Sequence, residues 1–314
     1  MIVDGKISYV RVYRSLKQSL LLTVSISLLV TAAYSAPDPK WLVEMRPVFD
    51  FTPTPLTVIG AALSIFIGFR TTAGYSRWWE GRSLWGQLTT HSRGFTRQLD
   101  TYCQHSDRAG DKEEMIAWRK AAVLRHIGFV YAFRDRLRGI DPLDTDGLVS
   151  VVSAEEFDGY AQVRNIPAAV LHQQGRELGY AWKRGWLQEI HLAAIDSTLT
   201  EVARVQGGCE RINNTPLPPI YTFFASRLMI VFCCLVPFGM VSSLHWFTPA
   251  VTFLVSFAFM ALSNISHQIE SPFGLSDNDL PLTSLCRAIE IDLRERVDAY
   301  PLPQAVTAMD GILL

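Results

Sequence analysis

The sequence has none of the short motifs that mark catalytic or nucleotide-binding sites. It contains no HExxH, no GxSxG, no glycine-rich phosphate loop and no GxGxxG. Its seven histidines are dispersed, and no two of them are spaced four residues apart, as zinc ligands on a helix are. We therefore expect a protein that is not an enzyme and that holds no cofactor.

Cysteine is scarce as well, and neither sign of charge is in clear excess. The five cysteines are odd in number and form no CxxC pair, so we expect free thiols, buried or facing lipid, and no disulfide. A formal net charge of -1 offers no basic surface for nucleic acid. Nucleic acid is therefore excluded as an expected partner.

Charged residues are missing from three long stretches, 18–37, 51–69 and 228–269. The first two are each close to the roughly 20 residues that an α-helix needs to cross a bilayer. They predict transmembrane helices at about 18–37 and 51–70.

The third stretch, 228–269, is long enough for two such helices. We place the turn between them at residues 245–249. Pro249 cannot continue a helix that precedes it, and Trp246 and Phe247 suit the membrane interface. The sequence thus predicts four transmembrane helices.

Positive charges beside the predicted spans give the orientation. They are Lys6, Arg11, Arg14, Lys17, Arg70, Arg77, Arg82, Arg204, Arg211 and Arg227. By the positive-inside rule, both termini and the middle of a multi-pass chain lie in the cytoplasm, and residues 36–50 lie outside the inner (plasma) membrane. One alternative stays open, because the basic N-terminus, the first apolar stretch and Ala33-Tyr34-Ser35 also match a cleavable secretory signal.

The region between the second and third predicted spans is charged and poor in turn signals. Apolar residues recur at helical spacing in 111–138 and 173–211, while 140–158 predicts a loop or two short helices. The predicted organisation has four parts: an N-terminal segment with the first two spans at 1–77, a cytoplasmic helical bundle at 78–215, the last two spans at 216–270, and a cytoplasmic C-terminal segment at 271–314.

Three motifs occur in order along the chain. They are Gly68-Phe69 followed by Arg77-Trp78-Trp79-Glu80, then Pro216-Leu217-Pro218 with Tyr221-Thr222, and then Ser271-Pro272-Phe273-Gly274 with Asp277-Asn278-Asp279. In order and spacing they resemble the bestrophin family of ion channels, in its bacterial branch. The resemblance implies an all-α membrane protein, a homopentamer around one axial pore. Each subunit would give four transmembrane helices and a cytoplasmic helical bundle.

The resemblance also implies that the second span lines a narrow apolar neck, at Ala61, Ile65 and Phe69. Positions i, i+4 and i+8 share one helix face and rise over about 12 Å. Five copies would form three apolar rings, which gate by excluding water. Ala61 is smaller than the aliphatic residue usual in the family, so we expect a wider outer ring. Without the resemblance, the stripe could equally face lipid or a neighbouring helix.

A second constriction is implied in the cytoplasmic part, where Pro167 opens a helix. It would lie at Ala168 or at its neighbour Ala169, although an ordinary helix start accounts for these residues equally well.

The four residues Arg77, Trp78, Trp79 and Glu80 are expected to hold the pore helix to the cytoplasmic bundle. Arg77 and Glu80 are three residues apart and so within side-chain reach on a helix. Their expected role is structural, with at most an indirect effect on gating.

In animal members of the family, an acidic stretch after the fourth span forms a calcium clasp. Asp277 and Asp279 occupy part of that stretch, but Leu275 and Ser276 stand where it is acidic. Calcium prefers several carboxylate and carbonyl oxygens. We therefore expect no metal here and interpret Asp277 and Asp279 as a remnant, or as a solvated acidic loop.

The implied function is passive conduction of monovalent ions. The neck carries no charge, so it does not set the sign of the ion. The bacterial branch implies cations such as sodium, with chloride as the alternative. A secondary transporter and a non-conducting membrane scaffold stay open, although the spans lack the internal charges typical of coupled transporters. Expected partners are copies of the chain, membrane lipid and permeant ions.

Overall fold

The computed structural model describes residues 9–36, 53–104, 111–309 and 311–313. Within these ranges the chain is helical, with ten α-helices, two short 3₁₀ turns and no strand. It divides into two compact units. We call the described residues of Lys6–Arg77 and Pro216–Ser271 the apolar unit, and those of Trp78–Thr215 and Pro272–Leu314 the polar unit.

The apolar unit contains four helices. They are α1 (Tyr9–Ser35), the first half of α2 (Pro53–Tyr102), α8 (Pro219–Leu244) and α9 (Thr248–Ile269). Their core includes Leu20, Leu63, Phe232 and Met260, which are nearly fully buried. These side chains come from all four helices, so the apolar unit is held by one shared core.

The predicted turn at 245–249 is confirmed by a 3₁₀ turn, His245–Phe247, that separates α8 from α9. Helix α8 passes through Pro237 without interruption, so no broken helix occurs there. Three segments are long and apolar enough to cross a membrane among the described residues: Leu16–Ser35, Thr54–Tyr102 and Phe223–Ile269. The last of these contains both α8 and α9.

Some predicted features fall outside the described residues. These are Lys6 and residues 37–50 of the predicted outward loop, together with the side chains of Arg11, Arg14, Tyr221 and Thr222.

Helix α2 does not end near Arg70, where the second span was predicted to end, but continues to Tyr102. The charge pattern marks where the apolar stretch stops, and nothing after it breaks a helix, since the segment contains no proline. Buried positions recur along α2 at alternating spacings of four and three residues, with half-buried Trp78 among them. They are Leu63, Ile67, Arg70, Gly74, Gly81, Trp85, Leu88, Ser92, Phe95 and Leu99. We call this series the buried seam of α2.

The polar unit surrounds α3 with other helices. Its elements after α2 are α3 (Asp111–Leu137), α4 (Asp146–Val149), α5 (Ala154–Tyr160), α6 (Ile166–Lys183), α7 (Glu189–Asn214) and α10 (Leu282–Arg296). Region 140–158 thus contains a pair of short helices, as predicted. Helix α3 has acidic residues in its first turn and basic residues in its last, which complement the helix dipole.

Aromatic rings stack along α3 at the centre of the polar unit. The Phe133 ring lies 5.6 Å from that of Trp85 and 5.8 Å from that of Phe129, and the His126 ring lies 5.7 Å from Phe129. All four side chains are almost fully buried. Every residue from Arg125 to Phe133 is buried, so α3 is packed on all sides here, and the spacing of Phe129 and Phe133 marks only the side that carries the stack.

His126 is the buried titratable group of this stack. Its Nε2 lies 2.9 Å from Ser92 Oγ, and the Ser92 hydroxyl donates to Leu88 O at 2.7 Å. Because the Ser92 hydroxyl already donates its hydrogen to Leu88 O, Nε2 of His126 carries a hydrogen and donates it to Ser92 Oγ. Nδ1 has no hydrogen-bond partner. Burial lowers the pKa of His126 from 6.5 to about 4.

We expect His126 to make the protein less stable as the pH falls from 6.5 to about 4. In that window the unfolded chain takes up a proton at His126 and the folded chain does not, which removes on the order of 3 kcal/mol of unfolding free energy. His126→Gln should show less of this loss. The test compares the unfolding midpoints of the wild type and the variant in detergent, at neutral and at mildly acidic pH. An equal drop of the midpoint in both proteins would contradict the prediction.

Candidate functional site

Helix α2 presents two different faces within the apolar unit. The predicted neck residues Ala61, Ile65 and Phe69 are all exposed, with 62% of Ile65 and 68% of Phe69 accessible. On the opposite face, Leu63 and Ile67 are only 1% accessible. One face of α2 is therefore packed against its own chain, and the other is an apolar surface with no packing from the described residues.

The exposed stripe is longer than the sequence interpretation had it. Val58, seven residues before Ile65, is 65% accessible, and Thr72 and Ser76 follow Ile65 by seven and eleven residues on the same exposed face. Thr72 Oγ1 donates to Gly68 O at 3.1 Å, and Ser76 Oγ donates to Thr72 O at 2.9 Å. The stripe thus changes from apolar to hydroxyl-bearing after Phe69. Spacing by seven and eleven residues is the signal that identifies these positions.

The packed face of α2 approaches its neighbours closely at two glycines. A Cβ on Gly60 would lie 2.9 Å from the Phe232 ring, and one on Gly74 would lie 3.1 Å from Ile269 Cγ1 and 3.3 Å from Ser266 O. Such distances leave no room for a side chain. The absence of a side chain at Gly74 lets α2 and α9 meet almost backbone to backbone.

Two arginines of α2 bind the C-terminal end of α9. Arg70, which is 2% exposed, donates through Nε to Glu270 Oε1 at 3.2 Å and through Nη2 to Glu270 Oε2 at 3.3 Å. Arg77 donates through Nε to Glu270 O at 3.0 Å. A bidentate pair of this kind has strict geometry and so fixes the position of α9 along α2.

Glu80 was predicted to lie within side-chain reach of Arg77, but its ion-pair partner is on another helix. Glu80 forms an ion pair with Arg211 of α7 within the polar unit. A pair three residues apart on a helix is worth only about 0.2–0.5 kcal/mol, so a partner on another helix readily replaces it. Trp78 Nε1 donates to Asn278 O at 3.0 Å, while Trp79 is 58% accessible. Trp78 and Glu80 therefore hold α2 to the polar unit.

The two alanines of the predicted aperture lie in the first turn of α6. Asn165 caps this helix by accepting from Ala168 N at 3.2 Å, and Pro167 occupies the first turn. Ala168 is exposed, and Ala169 packs partly against the core. Of the two, Ala168 is the one available to line an opening.

The acidic loop after α9 uses a carboxylate to close itself. Asp279 is 4% exposed, and its Oδ2 accepts from Ser276 N at 2.7 Å. Burial raises the pKa of Asp279. A Cβ on Gly274 would lie 2.7 Å from the same oxygen, so a side chain there would have to displace the carboxylate. Asp277 lies in the same loop, and within the described ranges no three His, Cys, Asp or Glu side chains gather as a metal site.

An apolar helical unit with membrane-length segments, together with a separate polar helical bundle, defines an α-helical membrane protein. The family model described as "Bacterial/Fungal Bestrophin protein" matches residues 2–295. The chain belongs to this family, which confirms the resemblance drawn from its motifs.

Relatives and solved structures agree with this assignment. The chain is 37% identical over 264 residues to the voltage-dependent anion channel-forming protein RSc3414 of Ralstonia nicotianae, covering 84% of this chain and 83% of the relative. It is 34% identical over 256 residues to the voltage-dependent anion channel-forming protein YneE of Escherichia coli K12, covering 82% and 80%. The crystal structure of a bacterial bestrophin homolog from Klebsiella pneumoniae is similar with a TM-score of 0.80 and 31% identity, covering 91% of this chain and 100% of that one.

Gly74→Val should destabilise the protein because the new side chain collides with Ile269 and the Ser266 carbonyl. Overpacking of this kind typically costs about 1–3 kcal/mol. Gly68→Val is the matched control on the same helix, since a Cβ at Gly68 meets nothing within 4 Å. Thermal unfolding in detergent measures both, and equal midpoints would show that the close approach at Gly74 does not limit packing.

Proposed function

We propose that this protein is a subunit of a homopentameric channel that conducts monovalent anions such as chloride passively across the inner membrane. Each subunit would give four transmembrane helices, α1, the first half of α2, α8 and α9, with both termini in the cytoplasm. The observation that carries the proposal is the exposed apolar face of α2 opposite its packed face. Family membership supports it.

The proposed ion differs from the sodium expected from the sequence. Relatives at 37% and 34% identity carry the name of voltage-dependent anion channel-forming proteins, which favours the anion alternative. An uncharged neck conducts either sign poorly, so it offers no argument for cations. We therefore place chloride first and sodium second.

The proposed gate is the apolar part of the stripe. Five copies of Val58, Ala61, Ile65 and Phe69 would surround the axis, with Ala61 giving the widest ring. Water leaves a narrow apolar tube readily, and an ion cannot shed its hydration there without compensating ligands. Below the neck, the Thr72 and Ser76 hydroxyls donate to backbone carbonyls, so they would ligate chloride only after turning away from those carbonyls. Ala168 of each subunit would form the second, cytoplasmic constriction, with Ala169 behind it.

Ile65→Ala and Phe69→Ala should each raise single-channel conductance or open probability severalfold, because a smaller apolar side chain widens the neck and admits water. Ile59→Ala is the matched control. Ile59 lies about a third of a turn around α2 from Ile65 and is 38% accessible. Planar-bilayer recordings compare the three variants. Unchanged currents in both neck variants would place the stripe against lipid.

The sign of the permeant ion is measured on the purified wild-type protein in a bilayer under a NaCl gradient. We expect a reversal potential displaced toward the equilibrium potential of chloride. Displacement toward that of sodium would restore the cation assignment. Saturable flux coupled to a proton gradient would indicate a transporter, and the absence of any current would leave a membrane scaffold.

A further inference from the structure

We propose that Glu270 is a selectivity-determining residue, which acts by cancelling the positive charge of Arg70 beside the neck. The inference rests on the proposed channel function and deepens it. It concerns a buried ion pair that lies off the stripe, so neither residue would touch a permeating ion.

Arg70 directly follows Phe69, the last apolar residue of the exposed stripe, but lies about 100° around α2 from it and is buried in the packed face. With 2% of its surface accessible, its guanidinium is shielded from water by the apolar unit. An α-helix with its side chains is about 10–12 Å across. The charge of Arg70 is therefore separated from the proposed pore by roughly one helix, at the level where the neck ends.

A charge at that distance acts on the pore through protein rather than water. Electrostatic interactions are screened much less where water and salt are excluded than at an exposed surface. In the proposed pentamer the effect is multiplied by five. Without an opposing charge, the five copies of Arg70 would create a ring of positive potential around the end of the neck. That potential would attract anions and repel cations.

Glu270 opposes this potential at short range. Both of its carboxylate oxygens accept from Arg70, and only 13% of its side chain is accessible. Arg77 adds a second positive charge, but it binds the Glu270 backbone carbonyl rather than the carboxylate. Among the described residues, the site contains Arg70, Arg77 and the Glu270 carboxylate, together with the partial negative charge at the C-terminal end of α9.

The pair needs an explanation beyond stability. A buried ion pair contributes little net stability, because desolvation of both ions offsets their attraction, and apolar residues of similar volume serve as well or better. The contact between α2 and α9 is already held by the close approach at Gly74 and by Thr71 Oγ1 against Ser266 Oγ. What apolar residues could not supply is a fixed pair of opposite charges beside the neck.

The test uses three variants of the full-length protein in planar bilayers under a NaCl gradient. Glu270→Gln keeps the shape of the side chain and an acceptor oxygen but leaves the positive charge of Arg70 unbalanced, so the chloride-to-sodium permeability ratio should rise severalfold. Arg70→Gln leaves the negative charge of Glu270 unbalanced, so the ratio should fall severalfold. The double variant Arg70→Gln/Glu270→Gln cancels both charges and should return to the wild-type ratio. Both single-variant shifts should shrink as the salt concentration rises.

The opposite directions expected of the two single variants separate electrostatics from packing. If the pair acted only as a structural clamp, each single variant would leave one buried charge unpaired and would shift the ratio in the same direction or not at all. Glu114→Gln is the charge-matched control, because Glu114 forms an exposed pair with Arg184 and should leave the ratio unchanged. A double variant that departs further from wild type than either single one would overturn the proposal.

A single substitution leaves one buried charge without its partner, so assembly is checked by size-exclusion chromatography. Where a single variant does not assemble alone, it is co-expressed with wild-type subunits, and the permeability ratio should then shift with the fraction of variant subunits. If the wild type conducts and neither single variant changes its permeability ratio, the proposed role of Glu270 is wrong but the proposed channel function stands. If the wild type carries no current, both proposals are wrong.

Discussion

Helix α2 buries only one of its faces against its own chain, and each unit is organised around that burial. Within the apolar unit the buried seam contributes Leu63 and Ile67 to the core shared with α1, α8 and α9. Within the polar unit it contributes Trp85, Leu88 and Phe95. Because the seam supplies these core contacts, the opposite face of α2 in the apolar unit is left exposed.

Much of the fold could be predicted because single-chain patterns determine it. Uncharged stretches of membrane length located α1, α8 and α9, and the helical spacing of apolar residues in 111–138 located α3. The seam of α2 was not predicted because four of its ten positions are Arg70, Gly74, Gly81 and Ser92. A search for apolar residues discards these types, although burial selects arginine when it has a carboxylate partner and glycine when another helix comes close.

The candidate site was predicted only as far as it lies on one helix. Ala61, Ile65 and Phe69 share a face by periodicity alone, and their exposure could be anticipated from the family resemblance. The partners of Arg70 and Glu80 are Glu270 and Arg211, which lie far away in sequence. No local spacing specifies such pairs, because the choice of partner depends on which helices meet and at what height.

The alternating spacing of the seam also limits how the length of this chain can vary. Inserting one residue between Gly81 and Trp85 would turn Trp85 and Leu88 by about 100° relative to Trp78 and Gly81 of the same unit, and would take them out of the core. Inserting seven residues would restore the register to within about 20°. The second half of α2 can therefore exchange residues on its exposed face without loss of its core, but a change in its length must come close to a whole number of turns.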